Sequence, residues 1–423
     1  MTARVAEIIE KFRAEAMADP YPLFRALRTH APVMDGDVLK HFGRGSQASL
    51  DPNRRVFTLF RHQDVSDVLR SPDRFSSRLL GDGISDLFGG FMITAADGDV
   101  HRRARNLLQP AFSPKQLGEW RLQVIEPMIV EEFVRPLQGR GRCDLVEAIG
   151  KPFPIRVMYH IMGFSPDHLP YERFADWAHR ILLVVAGVPG TPQEAAAAFA
   201  SAARAMEELN AFTLAFVAHR RASGQRGNDL ISRLLDIRFE GEALDDAGVT
   251  DFIRTLLPAS GETTTQTFNN LMSLLLDRPE DLERLRRDPR LVSRAIDEAM
   301  RLEPVASFVA REAVDDTVLH GVAIPRGAGL LLSTGSANRD EAVYENPDVF
   351  DIDRPGRANL SFGHGPHICV GMHVAKAIVG AAVTAILDGW PDIRRDPDSP
   401  AVGIHGVHRR STQSLPVIWN RPA

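Results

Sequence analysis

The run Phe362-Gly363-His364-Gly365-Pro366-His367-Ile368-Cys369-Val370-Gly371 holds the residues best suited to chemistry. An apolar helix is predicted to begin near Met372, so Cys369 falls where a loop becomes a helix. The unpaired N–H groups and the dipole of a helix start favour a negative atom, here a thiolate. Gly363, Gly365 and Gly371 lack a Cβ, so the backbone can turn sharply and another flat body can come close. Pro366 stiffens the loop, and His367 offers a donor beside the sulfur. The other cysteine, Cys143, is far away in sequence and there is no C-x-x-C, which leaves no basis for a structural zinc or a redox dithiol. A cysteine nucleophile needs a positioned histidine, and His367, two residues off, is awkwardly placed for that task. Two readings remain. One is a buried free cysteine; the other is a single axial thiolate on haem iron, which needs one Cys and a glycine-lined pocket for a large flat ring. The glycine spacing speaks for the second.

Phe362-x-x-Gly365-x-x-x-Cys369-x-Gly371 resembles the haem-binding signature of the cytochrome P-450 superfamily, the haem-thiolate monooxygenases. The resemblance runs from about Asp19 to the C-terminus. It implies a mainly α fold with a small β region, one domain over residues 1–423 with residues 1–18 as an N-terminal extension. It also implies haem b (iron protoporphyrin IX) between a long central helix and the Cys-loop helix. Cys369 is then the axial ligand of the iron, with Phe362, His367 and Gly371 in the cofactor-binding loop.

The elements that must position this loop come in order along the chain. Val56–Phe60 alternates like a strand, and 64–70 reads as a short helix behind it. Residues 76–94 carry four glycines among Leu79, Leu80, Ile84, Leu87, Phe88, Phe91, Met92 and Ile93. Such a segment is either a binding loop or lid, or it packs on the core. His101 and Arg105 share a face of a helix capped by Asp97 or Asp99. Taken alone they form a solvated basic patch; the resemblance assigns them to the haem propionates, together with Arg311. Residues 170–186 and 193–221 read as helices joined by a Gly/Pro turn, which the resemblance makes a cover over the substrate.

A long helix is predicted over 251–276. Pro258 removes one of its hydrogen bonds, and Ser260, Gly261 and Thr263 loosen the same turn. A weakened turn with an acid and an alcohol can host water and pass protons, although local propensity fits a loop as well. Glu262-Thr263 matches the acid–alcohol pair of the family, which delivers protons to the dioxygen being reduced. Ser260 stands where the family usually has Gly. Glu298 and Arg301, three apart on a helix, would by themselves be a surface pair worth little. In the family they form a buried network with a later arginine, here Arg354. Substrate contacts are assigned to Leu79, Leu80, Phe91, Ile93, Val184, Ala259, Val305 and Phe308.

A net charge of −5 gives no electrostatic support for nucleic-acid binding. Two cysteines fit a reducing cytoplasm. Residues 1–18 lack the apolar run of a signal peptide or membrane anchor, so a cytoplasmic protein with no membrane association is expected. The function implied is insertion of one atom of dioxygen into a lipophilic small molecule, by hydroxylation or epoxidation. No strand-linked Gly-x-Gly-x-x-Gly is present, so electrons are expected from a ferredoxin or flavodoxin with its reductase. That donor would dock on the thiolate face near Arg105, Lys376 and Arg357. A peroxide-driven peroxygenase and a non-catalytic haem-binding sensor or carrier are the alternatives. The polar segment Gly36–Pro52 has no functional reading.

Overall fold

In the computed structural model, which describes residues 3–43, 45–82, 92–186, 192–356, 359–400 and 402–420, one helix organises the rest. It spans Asp246–Leu276, 31 residues, or about 46 Å at 1.5 Å per residue. It starts where the side chain of Asp245 accepts from the N–H of Gly248. Apolar residues occupy nearly every side of it, as befits a helix surrounded by protein. The helices Pro152–Met162, Tyr171–Ala186 and Pro192–Ser223 pack on it, and so do Leu291–Leu302 and Met372–Gly389. Pro258 deprives the carbonyl of Arg254 of its helical donor, yet the helix runs through it rather than ending there.

The β region is small. Its main sheet runs in the order Val33–Asp35, Val56–Leu59, Gly329–Ser333, Phe308–Ala313, Phe75–Ser76. Gly329–Ser333 lies parallel to Val56–Leu59 and antiparallel to Phe308–Ala313. Every residue of Val56–Leu59 is buried, because elements cover both faces of the strand. The polar segment after Gly36 is one of those covers. Buried Asp37 accepts hydrogen bonds from the N–H groups of Leu39 and Ser46 and from the Ser49 hydroxyl. Ala48 then presses on Gly329 so closely that a Cβ there would come within 2.9 Å. The segment is a plug over the inner strands of the sheet.

Among the described residues one helix, Met372–Gly389, is long and apolar enough to cross a membrane. It follows the cysteine loop, and Val374, Ile378, Val379, Ala382, Val383 and Ile386 are buried in the core.

Buried Glu298 and Arg301 join partly exposed Arg354 in one hydrogen-bonded unit. Arg301 grips Glu298 with two N–H···O bonds of 2.8 Å and donates to the carbonyls of Asn338, Pro347 and Val349. Arg354 reaches the same carboxylate at 3.0 Å and donates to the carbonyls of Glu345, Asn346 and Val349. Three charges thus fold the 345–354 turn against the helix that carries Glu298. Taking one partner away strands the others in low dielectric. Glu298→Gln is therefore expected to cost about 3–5 kcal/mol in equilibrium urea unfolding. A midpoint unchanged from wild type would show that the turn is held by something else.

Candidate haem-thiolate site

The cysteine loop is tied down before it reaches the sulfur. The N–H of Leu360 donates to Asn338 at 2.8 Å, and the N–H of Cys369 returns to the carbonyl of Phe362 at 2.9 Å, closing the loop on itself. Gly363 and Gly365 sit at φ +75° and +73°, the left-handed region that side chains disfavour. At Gly365 space forbids a side chain as well, since a Cβ would stand 2.9 Å from the Arg70 Cα and the Leu69 carbonyl. Gly371 differs: a Cβ there would meet nothing within 4 Å.

Cys369 is exposed, yet enough protein surrounds it that desolvation pushes its pKa up. Hydrogen bonds from the N–H groups of Gly371 and Met372, and the charge of Arg105, pull the other way. The sequence led to an outright thiolate. In the protein by itself burial wins and the thiol is favoured, with donors already aimed at the anion that a bound cation would bring out.

Around the loop stand basic groups. Arg105 donates to the carbonyl of Ile368 at 2.6 Å, next to the cysteine. His101, buried, stacks on His367 with ring centroids 4.0 Å apart. Burial and the neighbouring charges of His367 and Arg105 hold its pKa down at about 4. Asp97 does not cap the helix Gly98–Leu108 with its side chain, as the sequence suggested. Its carboxylate accepts instead from Ser76 at 2.6 Å and the N–H of Ser77 at 2.8 Å, and faces His367 Nε2 at 3.2 Å. Burial would raise its pKa, but these bonds bring it to about 2.

Arg311 is the most telling of the set. It is 3% exposed on the strand Phe308–Ala313. Among the described residues its side chain makes one hydrogen bond, to the carbonyl of Ala310 at 2.8 Å. Burial lowers its pKa to about 10. A buried guanidinium with so little compensation calls for an anion. An open sulfur flanked by two N–H donors, glycines that let a flat body approach, and two arginines, Arg105 and Arg311, bonded to carbonyls rather than carboxylates together fit an iron porphyrin with acidic side arms.

The acid and the alcohol lie on the central helix. Glu262 Oε1 accepts from Gln266 at 2.7 Å, and Oε2 pairs with Arg409 at 3.0 Å. Burial raises the pKa of Glu262 while Arg409 opposes the rise. The Thr263 hydroxyl donates to the carbonyl of Ala259 at 2.8 Å. Ser260 satisfies its hydroxyl in the same way, on Leu257 at 3.2 Å, so the residue in place of the usual Gly adds no unpaired donor.

Residues 50–390 match the family model of cytochrome P450. The chain belongs to the cytochrome P450 family. Nocardicin C N-oxygenase of Nocardia uniformis is 33% identical over 95% of this chain and 96% of its own. Erythromycin C-12 hydroxylase of Saccharopolyspora erythraea is 32% identical over 86% of this chain and 89% of its own. The crystal structure of CYP109E1 from Bacillus megaterium in complex with corticosterone shares the fold with a TM-score of 0.82 at 26% identity, covering 96% of this chain and 100% of that one. Like other cytochromes P450, the protein binds haem b and is a monooxygenase.

Most of the described residues assigned to substrate are buried in this cytochrome P450. Leu79 is fully buried with Phe24 and Leu27 in the sheet-side core, and Leu80 packs against that cluster. Phe308 meets Phe24 edge-on at 5.6 Å. They are core residues, because an apolar stretch beside a sheet gains more by packing on it than by facing a cavity. Ile93, Val184 and Val305 are buried too, and Ala259 is the described member of the set that is exposed. Phe91, with Ile84, Leu87 and Phe88 of the expected lid, lies outside the described residues, as does Arg357. Lys376 is paired with Asp297 at 2.5 Å. Arg409 and Gln266 were missed. Gln266 stands one turn after Glu262 and was open to an i,i+4 reading; Arg409 gave no local signal.

Arg311→Met should separate fold from cofactor. Losing the guanidinium is expected to weaken haem retention by roughly 1.5–3 kcal/mol, the worth of one hydrogen bond to a charged group. The haem-free form should unfold no more easily than wild type, since an under-compensated buried charge has been removed. Haem transfer to apomyoglobin and thermal unfolding of the apoprotein measure the two effects.

Proposed function

We propose that this monooxygenase hydroxylates or epoxidises a lipophilic small molecule with electrons from a separate ferredoxin or flavodoxin and its reductase. The observation that carries the reading is the sulfur of Cys369, open on one side and met by the N–H groups of Gly371 and Met372 on another. In this reading Cys369 ligates the haem iron. Arg105, Arg311, His101 and His367 hold the propionates, and Phe362 and Gly371 shape the loop. Haem, when bound, supplies the redox chemistry that divides dioxygen between substrate and water.

The remaining work falls to the chain. Glu262 and Thr263 hold and move protons toward the site through the helix turn that Pro258 weakens. A half-buried carboxyl whose pKa is raised is suited to that task. The apolar surroundings exclude water and favour a neutral, lipophilic ligand. The relatives include an erythromycin C-12 hydroxylase, a mycinamicin IV hydroxylase/epoxidase and CYP109E1 in complex with corticosterone, which supports hydroxylation or epoxidation of an organic small molecule. The donor docks on the thiolate face, where Arg105 lies beside the cysteine.

The reduced, carbon monoxide-treated protein should show the strongly red-shifted Soret band of a thiolate-ligated haem, and Cys369→Ala should lose it. A band typical of a neutral axial ligand in fresh wild-type protein would refute the ligand assignment. Ligands that shift the spin state are then tested for turnover. Product with ferredoxin or flavodoxin supports the donor reading. Product with peroxide alone makes the protein a peroxygenase, and binding without product makes it a sensor or carrier.

A further inference from the structure

Glu262 is clamped from two sides. Gln266, one turn along the same helix, donates to Oε1, and Arg409, 147 residues away in sequence, donates to Oε2 at 3.0 Å. The adjacent alcohol is engaged elsewhere, on the carbonyl of Ala259. Among the described residues no hydrogen bond joins the acid to the alcohol. With both carboxylate oxygens and the hydroxyl committed, the pair is not a connected path for a proton in this arrangement.

Arg409 reaches Glu262 from an anchored backbone. Its main chain bridges to Ala306, and the N–H of Ser307 donates to the carbonyl of His408 at 3.0 Å. Asn270, two turns beyond Glu262, donates to the carbonyl of Arg410 at 2.8 Å. Arg410 itself turns away into a buried site, where it meets Glu303 at 2.6 Å. The segment around Arg409 is thus irregular, with two isolated bridges, and is pinned on both sides of Arg409. Surface ion pairs of long side chains are worth little because neither partner is held. Here the backbone is fixed, and the side chains of Arg409 and Glu262 are only 28% and 16% exposed.

We propose that Arg409 is a positioning residue for the reaction: it parks the Glu262 carboxylate against the C-terminal segment, and proton delivery requires Glu262 to swing off the guanidinium toward Thr263. This rests on the reading of Glu262 as the acid. Burial acts to keep Glu262 protonated, and the guanidinium acts to keep it ionised; among the described residues Arg409 is the charged group whose field reaches it, Gln266 being neutral. Removing the guanidinium leaves burial opposed by the Gln266 hydrogen bond alone, so Glu262 should retain its proton to higher pH. The pairing also cancels the charge of both groups in a site that has to admit a lipophilic molecule.

The test uses the haem-loaded enzyme. Infrared difference spectra across pH follow the carboxyl C=O band of Glu262, assigned by its loss in Glu262→Gln. The midpoint is expected to move up in Arg409→Gln and to stay near wild type in Arg409→Lys, which keeps the charge. A second readout needs no organic substrate. With ferredoxin, its reductase and dioxygen, the peroxide-to-water ratio reports proton delivery. Glu262→Gln should raise the peroxide share, Arg409→Gln, which frees the carboxyl, should lower it, and the double variant should match Glu262→Gln alone. An arginine that merely held the fold would also move the midpoint but would leave the peroxide share at its wild-type value. An unchanged midpoint or peroxide share in Arg409→Gln, or additive effects in the double variant, overturns the proposal. If Glu262→Gln alone leaves the ratio unchanged, the failure is instead that of Glu262 as the acid.

Discussion

Burial opposes charge on the sulfur of Cys369, and much of the molecule is arranged around that opposition. A thiol crowded by protein keeps its proton unless dipoles or cations repay the lost hydration. Two backbone N–H groups do part of this from the start of the helix Met372–Gly389, and Arg105 does part of it from across the loop. Neither is enough without a metal cation at the sulfur. The donors must therefore be rigid in advance, because they cannot be drawn in by an anion that does not yet exist. Rigidity comes from the close seating of Gly365 on Leu69 and Arg70, from the Phe362–Cys369 closure and from the Asn338–Leu360 bond. Behind Asn338 stands Arg301, which holds its carbonyl and the Glu298 carboxylate together.

The same logic applies on a second scale. Arg311 is buried with little compensation, and His101 is kept neutral beside two other basic groups. Such a cluster costs stability in the isolated chain. It becomes favourable once a ligand with carboxylates enters. The fold stores this mismatch on a sheet strand and a helix that are themselves well packed, so the pocket does not collapse to relieve it.

How far the sequence revealed this depended on whether a residue's partner was local. Cys369, Gly363 and Gly365 announce themselves because the loop's function is written in adjacent positions. Glu262-Thr263 was visible as adjacent residues and Glu298/Arg301 as a pair on one helix face, and the long central helix was placed over 251–276, within the observed Asp246–Leu276. The opposite holds where the partner is remote. Asp97 looked like a helix cap, and only the fold brings Ser76, Ser77 and His367 around it. Leu79 and Phe308 were apolar residues in plausible places, and burial against Phe24 is a tertiary fact. The plug after Gly36 is polar in sequence because its Asp37 folds the segment onto itself. Arg409 sits in an irregular stretch with no periodicity to read.

Arg409 and Arg410 are chemically identical neighbours with opposite duties. One faces the acid of the central helix; the other is 3% exposed in a network with Glu303, which also holds Tyr21 and Arg339. In extended backbone successive side chains point to opposite sides. The segment therefore has a phase. Inserting or deleting one residue ahead of it would keep both arginines and exchange their places, whereas a change of two residues would preserve the alternation. Length variation here is constrained by parity more than by amount, a signature to look for when related chains are compared or when this loop is redesigned.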